Sequence, residues 1–332
     1  MPMVRGNFVI FFSILVIGLV LSAWCALFAY SAVPITPVQS FIALWQPDHN
    51  VIAHIIVRDI RLPRTLEAML IGASIAAAGT LMQGLTRNPL ASPSVFGINS
   101  GAAMGMAIVT TLFSTSSILS ITSAAIIGGS LSWFLVMLLG GAWKEGSERG
   151  QLILAGIAIS ALCSALTRAC VILSEDQAAS IMSWLAGSFA HVDWNTWKVS
   201  WLPLVMALLC SVYISPKLNL LTMGDERVKS FGINLMLLRL FVSSIVLILV
   251  GVSVSAVGSI AFLGLIVPHL GRYLVGYDHR ILLPSVMLLG ATLTVIADVL
   301  CRAIIFPTET PAGAVLALIG APFFLYLVRK KR

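Results

Sequence analysis

RLPRTLEAMLIGASIAAAGTLMQGLTRNPLASPSVFGINSGAAMG, residues 61–105, contains the features that decide the fold. Two arginines flank a proline at its start, and the 19 residues from Ala68 to Thr86 carry no charge. About 20 apolar residues are enough to cross a bilayer as a helix. A polar corner with prolines follows at Asn88, and a second apolar run begins near Gly97. The stretch therefore predicts one membrane helix, a tight corner, and a second helix that runs back.

The composition of the whole chain supports a membrane protein. Its 332 residues are 59% hydrophobic and only 10% charged, whereas a soluble domain has about 25% charged residues. The net charge of +7 does not indicate a nucleic-acid partner, because the basic residues are scattered over the ends of apolar runs. We therefore predict an all-α polytopic membrane protein in which residues 1–332 form a single transmembrane domain.

Ten apolar runs predict about ten transmembrane helices. The candidate spans are 8–30, 64–86, 94–113, 118–141, 150–173, 196–214, 237–256, 258–275, 282–305 and 310–328. An even number places both termini on one side. Fourteen of the 20 Lys and Arg residues fall on that side, five fall on the other, and Arg168 lies within a span. Since basic residues favour the cytoplasmic side, both termini are predicted to be cytoplasmic.

Three of the five basic residues on the predicted outer side, where such residues are expected to be few, are candidates for a function: Arg61, Arg64 and Arg302. Arg61 and Arg64 are three residues apart at a helix start and share one face. They are candidates for docking acidic residues of an external partner, and the alternative is that they reach lipid headgroups. Asp298 precedes Arg302 by one helical turn, so an internal ion pair is an equal alternative for Arg302.

Arg168 lies deep in an apolar run, and such a charge usually faces the protein interior or a wet cavity. Ser160, Ser164 and Thr167 form a hydroxyl stripe that leads to it. The pattern suits a path for an anionic solute. The alternative is that the hydroxyls bond their own helix while the arginine reaches the interface. Gln83 is a further path candidate at the end of a small-residue stripe, although an amide in this place more often joins two helices.

The cytoplasmic loop between the sixth and seventh spans contains a candidate coupling element. Asp225 can cap a short helix that includes Glu226, and Gly232 can end it. Together with Gly224, these residues form a short polar helix flanked by glycines, which suits contact with a soluble partner. A solvated connection without such a role is the alternative.

Two absences from the sequence limit the function. The chain has no GxxxxGK[ST] motif, so it does not hydrolyse a nucleotide itself. Its spans carry no paired carboxylates near mid-membrane, which argues against an ion-coupled secondary carrier. Such a carrier nevertheless remains the alternative from a different functional class.

Four strings, in order and over nearly the whole chain, carry a family resemblance: RLPR at 61–64, NPLASP at 88–93, FLGLIVPH at 262–269 and PAGAVLALIGAPFF at 311–324. They resemble the permease subunits of bacterial ABC importers for iron–siderophores, haem and vitamin B12. Within that family, four further strings are most similar to ferric dicitrate permeases: YSAVPI at 30–35, GINSGAA at 97–103, LILAGIAISALCSALTR at 152–168 and SEDQAASIMSWLAG at 174–187.

The resemblance implies the type II ABC importer permease fold in the bacterial inner membrane. It implies a second homologous permease, two copies of an ATPase subunit that use ATP, and a periplasmic binding protein. The solute would be ferric dicitrate, and another siderophore, haem or vitamin B12 is the alternative. This chain would bind no cofactor or metal.

The resemblance also implies roles for individual positions. Arg61, Arg64 and Arg302 would meet acidic residues of the binding protein. The corner at Asn88, Pro89 and Leu90 would form part of a cytoplasmic gate, and the loop at 224–232 would contact the ATPase. The role of Arg168 is not inherited from the family and is a hypothesis based on its depth and charge.

Overall fold

The computed structural model describes residues 5–94, 96–113, 118–140, 149–173, 182, 184–222, 224, 228 and 230–330. Within these ranges the chain is helical and contains no strand, which confirms the predicted all-α membrane protein. The helices are α1 (Arg5–Phe28), α2 (Pro37–Trp45), α3 (Ile52–Ile55), α4 (Leu62–Thr86), α5 (Ile98–Leu112), α6 (Ile118–Leu139), α7 (Arg149–Leu173), α8 (Trp194–Leu221), α9 (Leu235–Val257), α10 (Leu263–Val275), α11 (His279–Ile304) and α12 (Ala312–Lys330).

Seven helical segments of the described chain are long and apolar enough to cross a membrane. The other three predicted spans correspond to α5, α10 and the apolar part of α12, which are shorter. Two of these begin later than predicted. Gly97 before α5 has φ +72° and Phe262 before α10 has φ +64°, and a residue in this left-handed conformation cannot continue a right-handed helix.

The helix that begins the opening stretch starts earlier than predicted. One π-helical turn, Ile56–Arg61, connects α3 directly to α4, so that residues 52–86 form a continuous helical segment. Pro63 lies directly after this turn, in the first turn of α4, and the helical segment continues through it. The arginines at 61 and 64 therefore lie within a continuous helix.

Helix α4 is the centre of the fold. In the most apolar stretch of the helical segment 52–86, 89% of the residues are buried. It packs against α11 where Gly72 faces Gly290 and against α10 where Gly79 faces Gly264. At both positions an added Cβ would overlap the carbonyl oxygen of the facing glycine. The small-residue stripe of α4 thus allows close backbone approach, as expected for helices that no hydrophobic force drives together in lipid.

Two long helices lie at the periphery. In the most apolar stretch of α1 only 6% of the residues are buried within the chain, and in that of α7 only 22% are buried. Large apolar side chains cover the open faces, including Ile14 and Ile17 on α1 and Leu154 and Ile157 on α7. These faces are available to lipid or to another membrane subunit.

Candidate functional site

Arg64 is the centre of a cluster of charged side chains at the end of the bundle where α4 begins. Its guanidinium is bound by two carboxylates. Nε and Nη2 donate to Oδ1 of Asp298 on α11 at 2.9 and 2.7 Å. Nη1 donates to both carboxylate oxygens of Glu309, at 2.9 and 2.8 Å. Charge-assisted hydrogen bonds of this kind are the strong ones, so Arg64 ties α4 to α11 and to the segment that precedes α12.

Arg302 belongs to the same cluster and is only 2% exposed. Its Nη2 donates to Oδ2 of Asp298 at 3.2 Å, which is the internal i,i+4 pair that the sequence left open. Its Nη1 donates to the carbonyl oxygens of Ala26 and Ala29 at 3.1 and 3.0 Å. Arg302 therefore also joins α11 to the end of α1.

Arg61, at the last position of the π-helical turn, is the least satisfied member. It is 7% exposed, and its Nη2 donates to the carbonyl oxygen of Tyr30 at 3.1 Å. Its Nε and Nη1 are buried without a hydrogen-bond acceptor among the described residues. Buried donors normally have a partner, so Arg61 has capacity for an additional acceptor.

We call these five residues the arginine cluster: Arg61, Arg64, Asp298, Arg302 and Glu309. The structure brings together the three arginines that were proposed for docking. Two of them are buried in ion pairs, whereas Arg61 keeps unused donors. Docking by the three stays a prediction. Sequence reasoning missed Glu309, which is 245 residues from Arg64; its position between Pro307 and Pro311 on the predicted outer side was the available signal.

Two of the path candidates on α7 lie on its open face. Arg168 and Ser164 are exposed in the single chain, one helical turn apart. Ser160 is half-buried, and its Oγ has no partner in the described part of the chain. Thr167 is buried and donates to the carbonyl oxygen of Cys163 at 2.9 Å, so this hydroxyl bonds its own helix. A path along α7 stays a prediction.

Gln83 occupies a different place from the α7 residues. It is 3% exposed, and its Oε1 accepts a hydrogen bond from Nη2 of Arg272 on α10. In this conformation the amide joins two helices, which is the more frequent role of such a residue in a membrane. Its participation in a path is untested.

The predicted gate corner is a rigid turn. Arg87, which ends α4, has φ +51°. The Oδ1 of Asn88 accepts from the backbone N–H of Leu90 at 3.0 Å, an Asx turn that fixes the direction of the chain. Pro89 and Leu90 are exposed at its tip, with Leu90 43% exposed. An exposed apolar tip on a fixed turn suits a gate, and that role remains a prediction.

The candidate coupling loop is described only in part. Asp225 and Glu226 lie outside the described residues. Gly224 and Gly232 have φ values of +112° and +74°, which favour glycine. Between them Val228 is fully buried, so the loop is anchored to the body of the protein.

A second polar cluster, missed by the sequence analysis, joins α8 to α11 at the opposite end of the bundle. The Nδ2 of Asn219 donates to Oδ1 of Asp278 at 2.6 Å. The Oδ1 of Asn219 accepts from the backbone N–H of His279 at 2.9 Å. Burial raises the pKa of Asp278, but hydrogen bonds from the Arg280 N–H and Asn219 outweigh it and lower the pKa overall. This cluster lies close in sequence to the coupling loop, because α8 ends at Leu221.

The comparisons with known proteins first define a class. A solved structure, described as an inward-facing conformation of a metal-chelate type ABC transporter, matches with a TM-score of 0.82 and 34% identity. The match covers 97% of this chain and 99% of that one. The fold is thus shared with a metal-chelate type ABC transporter.

The chain belongs to the FecCD transport family, whose model matches residues 14–330. It is 48% identical over 319 residues to the Fe(3+) dicitrate transport system permease protein FecC of Escherichia coli (strain K12), covering 95% of this chain and 96% of FecC. It is 33% identical over 312 residues to FecD of the same organism, covering 93% and 96%. The predicted family resemblance is confirmed.

Proposed function

We propose that this chain is a membrane-spanning subunit of an ATP-driven importer that carries ferric dicitrate inward across the cytoplasmic membrane. The observation that carries the proposal is the 48% identity to FecC over nearly the full length of both chains. Identity at this level over the full length of both chains supports a common cargo better than a shared fold alone.

The proposed assembly contains partners that supply what this chain lacks. A second homologous permease completes the translocation path, and the likeness to both FecC and FecD supports a pair of related subunits. Two copies of an ATPase subunit bind and hydrolyse ATP, because this sequence has no phosphate-binding loop. A periplasmic binding protein delivers the solute. No cofactor is bound by this chain.

The proposed mechanism assigns one event to each end of α4. The loaded binding protein docks at the arginine cluster, through Arg61 and the neighbouring Arg64 and Arg302. The solute enters between the two permeases, where the open face of α7 presents Ser164 and Arg168 to an anion. ATP binding and hydrolysis act through the loop at 224–232 and move the corner at 88–90, which opens and closes the cytoplasmic exit. Both termini are cytoplasmic in this arrangement.

Competition during uptake tests the proposal. The full complex is reconstituted in proteoliposomes with its binding protein, and ATP-dependent uptake of radioactive ferric citrate is measured against excess unlabelled ferric citrate, haem or cobalamin. We expect inhibition by ferric citrate alone. The control is a complex whose ATPase subunits lack the phosphate-binding lysine.

Three results would contradict the proposal. Stronger competition by haem or cobalamin would assign a different cargo. Uptake that persists without ATP, driven by an ion gradient, would identify a secondary carrier. Failure of the loaded binding protein to bind the assembled complex would remove the docking step.

A further inference from the structure

The charges of the arginine cluster do not balance. Among the described residues it contains three guanidinium groups and two carboxylates. Arg64 and Arg302 share Asp298, which is 1% exposed and lies between them. Arg61 has two buried donors without an acceptor in the described structure. The cluster thus carries one positive charge in excess, and it is complementary to an additional anion.

The two carboxylates that bind Arg64 differ in how easily they can leave. Asp298 lies inside α11, is buried, and also binds Arg302. Glu309 lies in the segment between α11 and α12, and its side chain is 32% exposed. Within the described part of the chain, its hydrogen-bond donor is Nη1 of Arg64. Because water reaches Glu309, this carboxylate can leave Arg64 without becoming a buried unpaired charge, so it exchanges with a competing group more easily than Asp298 does.

All three nitrogens of the Arg64 guanidinium donate to these two carboxylates. An external carboxylate that accepts two hydrogen bonds from one side of the guanidinium must therefore replace one of them. Since Asp298 is enclosed, the replaceable group is Glu309. Its departure would leave three arginines with one carboxylate, which increases the attraction for an acidic side chain of a partner.

We propose that Glu309 is an internal competitor for docking: it occupies on Arg64 the position that a carboxylate of the binding protein takes in the complex. The inference rests on the proposed function, because it requires docking at the arginine cluster. The incoming carboxylate displaces Glu309 and also accepts from the unused Nε and Nη1 of Arg61. Glu309 thereby weakens docking and favours release of the binding protein after delivery.

The variant Glu309→Gln tests this inference, because it removes the charge and nearly preserves the shape. The dissociation constant of the ferric-citrate-loaded binding protein is measured for the complete complex in nanodiscs. We expect Glu309→Gln to bind it about threefold to tenfold more tightly. Glu309→Ala should act in the same direction, and thermal unfolding of both variants reports whether the complex is intact.

Asp59→Asn is the matched control, since it removes one negative charge from the neighbouring π-helical turn without breaking a contact to Arg64. If Glu309→Gln acted only by changing the overall charge, Asp59→Asn would tighten binding equally. The effects of Glu309→Gln and Asp59→Asn would then both disappear at high salt. Weaker or unchanged binding in both intact Glu309 variants would overturn the inference and make Glu309 a structural clamp. If the wild-type complex fails to bind the loaded binding protein, the proposed function falls as well, so the two failures are distinguishable.

Discussion

The side chains of Arg61 and Arg64 are one turn apart but have different surroundings, so their replacement should have different results. Arg61→Gln removes a guanidinium with two unused buried donors. We expect an assembled complex whose affinity for the binding protein falls about tenfold or more.

Arg64→Gln removes the partner of the buried Asp298 and should destabilise the protein by about 3–5 kcal/mol. Size-exclusion chromatography, thermal unfolding and binding measurements separate these effects.

Arg58→Gln is the control for Arg61, because Arg58 is an exposed arginine of the same turn. It should change binding only slightly and in a salt-dependent way. Normal binding by Arg61→Gln would contradict a docking role for that residue. An equally stable Arg64→Gln complex would contradict the structural role of the ion pairs.

Arg168 is the residue for which an effect on the solute is expected. Arg168→Gln should reduce the uptake of ferric citrate about tenfold, because a positive charge in a low-dielectric path attracts an anionic complex. Arg168→Lys keeps the charge and should restore part of the uptake. ATP hydrolysis stimulated by the binding protein measures coupling separately and should persist in both variants. Wild-type uptake kinetics in Arg168→Gln would refute the path role.

At the scale of helices, the close approach of α4 and α10 is the contact most sensitive to size. A Cβ at Gly79 would meet the backbone carbonyl of Gly264, which cannot move away as a side chain can. We expect Gly79→Ala to destabilise the purified complex by about 1–3 kcal/mol, measured as a lower thermal midpoint. Gly18→Ala on α1 is the control, because no atom lies within 4 Å of its added Cβ. Equal midpoints for the two variants would contradict this packing.

The sequence was sufficient to predict that the helices exist, but it was less informative about the residues at which they begin. Uncharged runs of about 20 residues predict membrane helices because an unpaired backbone is costly in lipid. The late starts of α5 and α10 depend on the left-handed conformations of Gly97 and Phe262. A phenylalanine gives no local signal for that conformation. The π-helical turn at Ile56–Arg61 is equally unmarked, since it is set by what surrounds it and not by its own composition.

At the scale of the whole molecule, the sequence predicted which arginines belong together but not their partners. The grouping of Arg61, Arg64 and Arg302 followed from charge sorting and from the family resemblance. The ion pair of Arg64 with Glu309 spans 245 residues. The contact of Asn219 with Asp278 spans 59 residues. Periodicity describes one helix at a time, so contacts between distant helices require the folded structure.

The orientation of the molecule is predicted from charge sorting, and it decides which end of α4 would meet the proposed binding protein. Seven long and three shorter apolar helices are described; ten crossings would place both termini on one side, and the excess of Lys and Arg predicts that this side is cytoplasmic. Epitope tags at each terminus should therefore be cleaved by protease in inside-out vesicles and protected in intact spheroplasts. A tag inserted after His49, in the segment between α2 and α3, should behave oppositely. If the tag after His49 is cleaved in inside-out vesicles, the arginine cluster faces the cytoplasm and cannot receive a periplasmic partner.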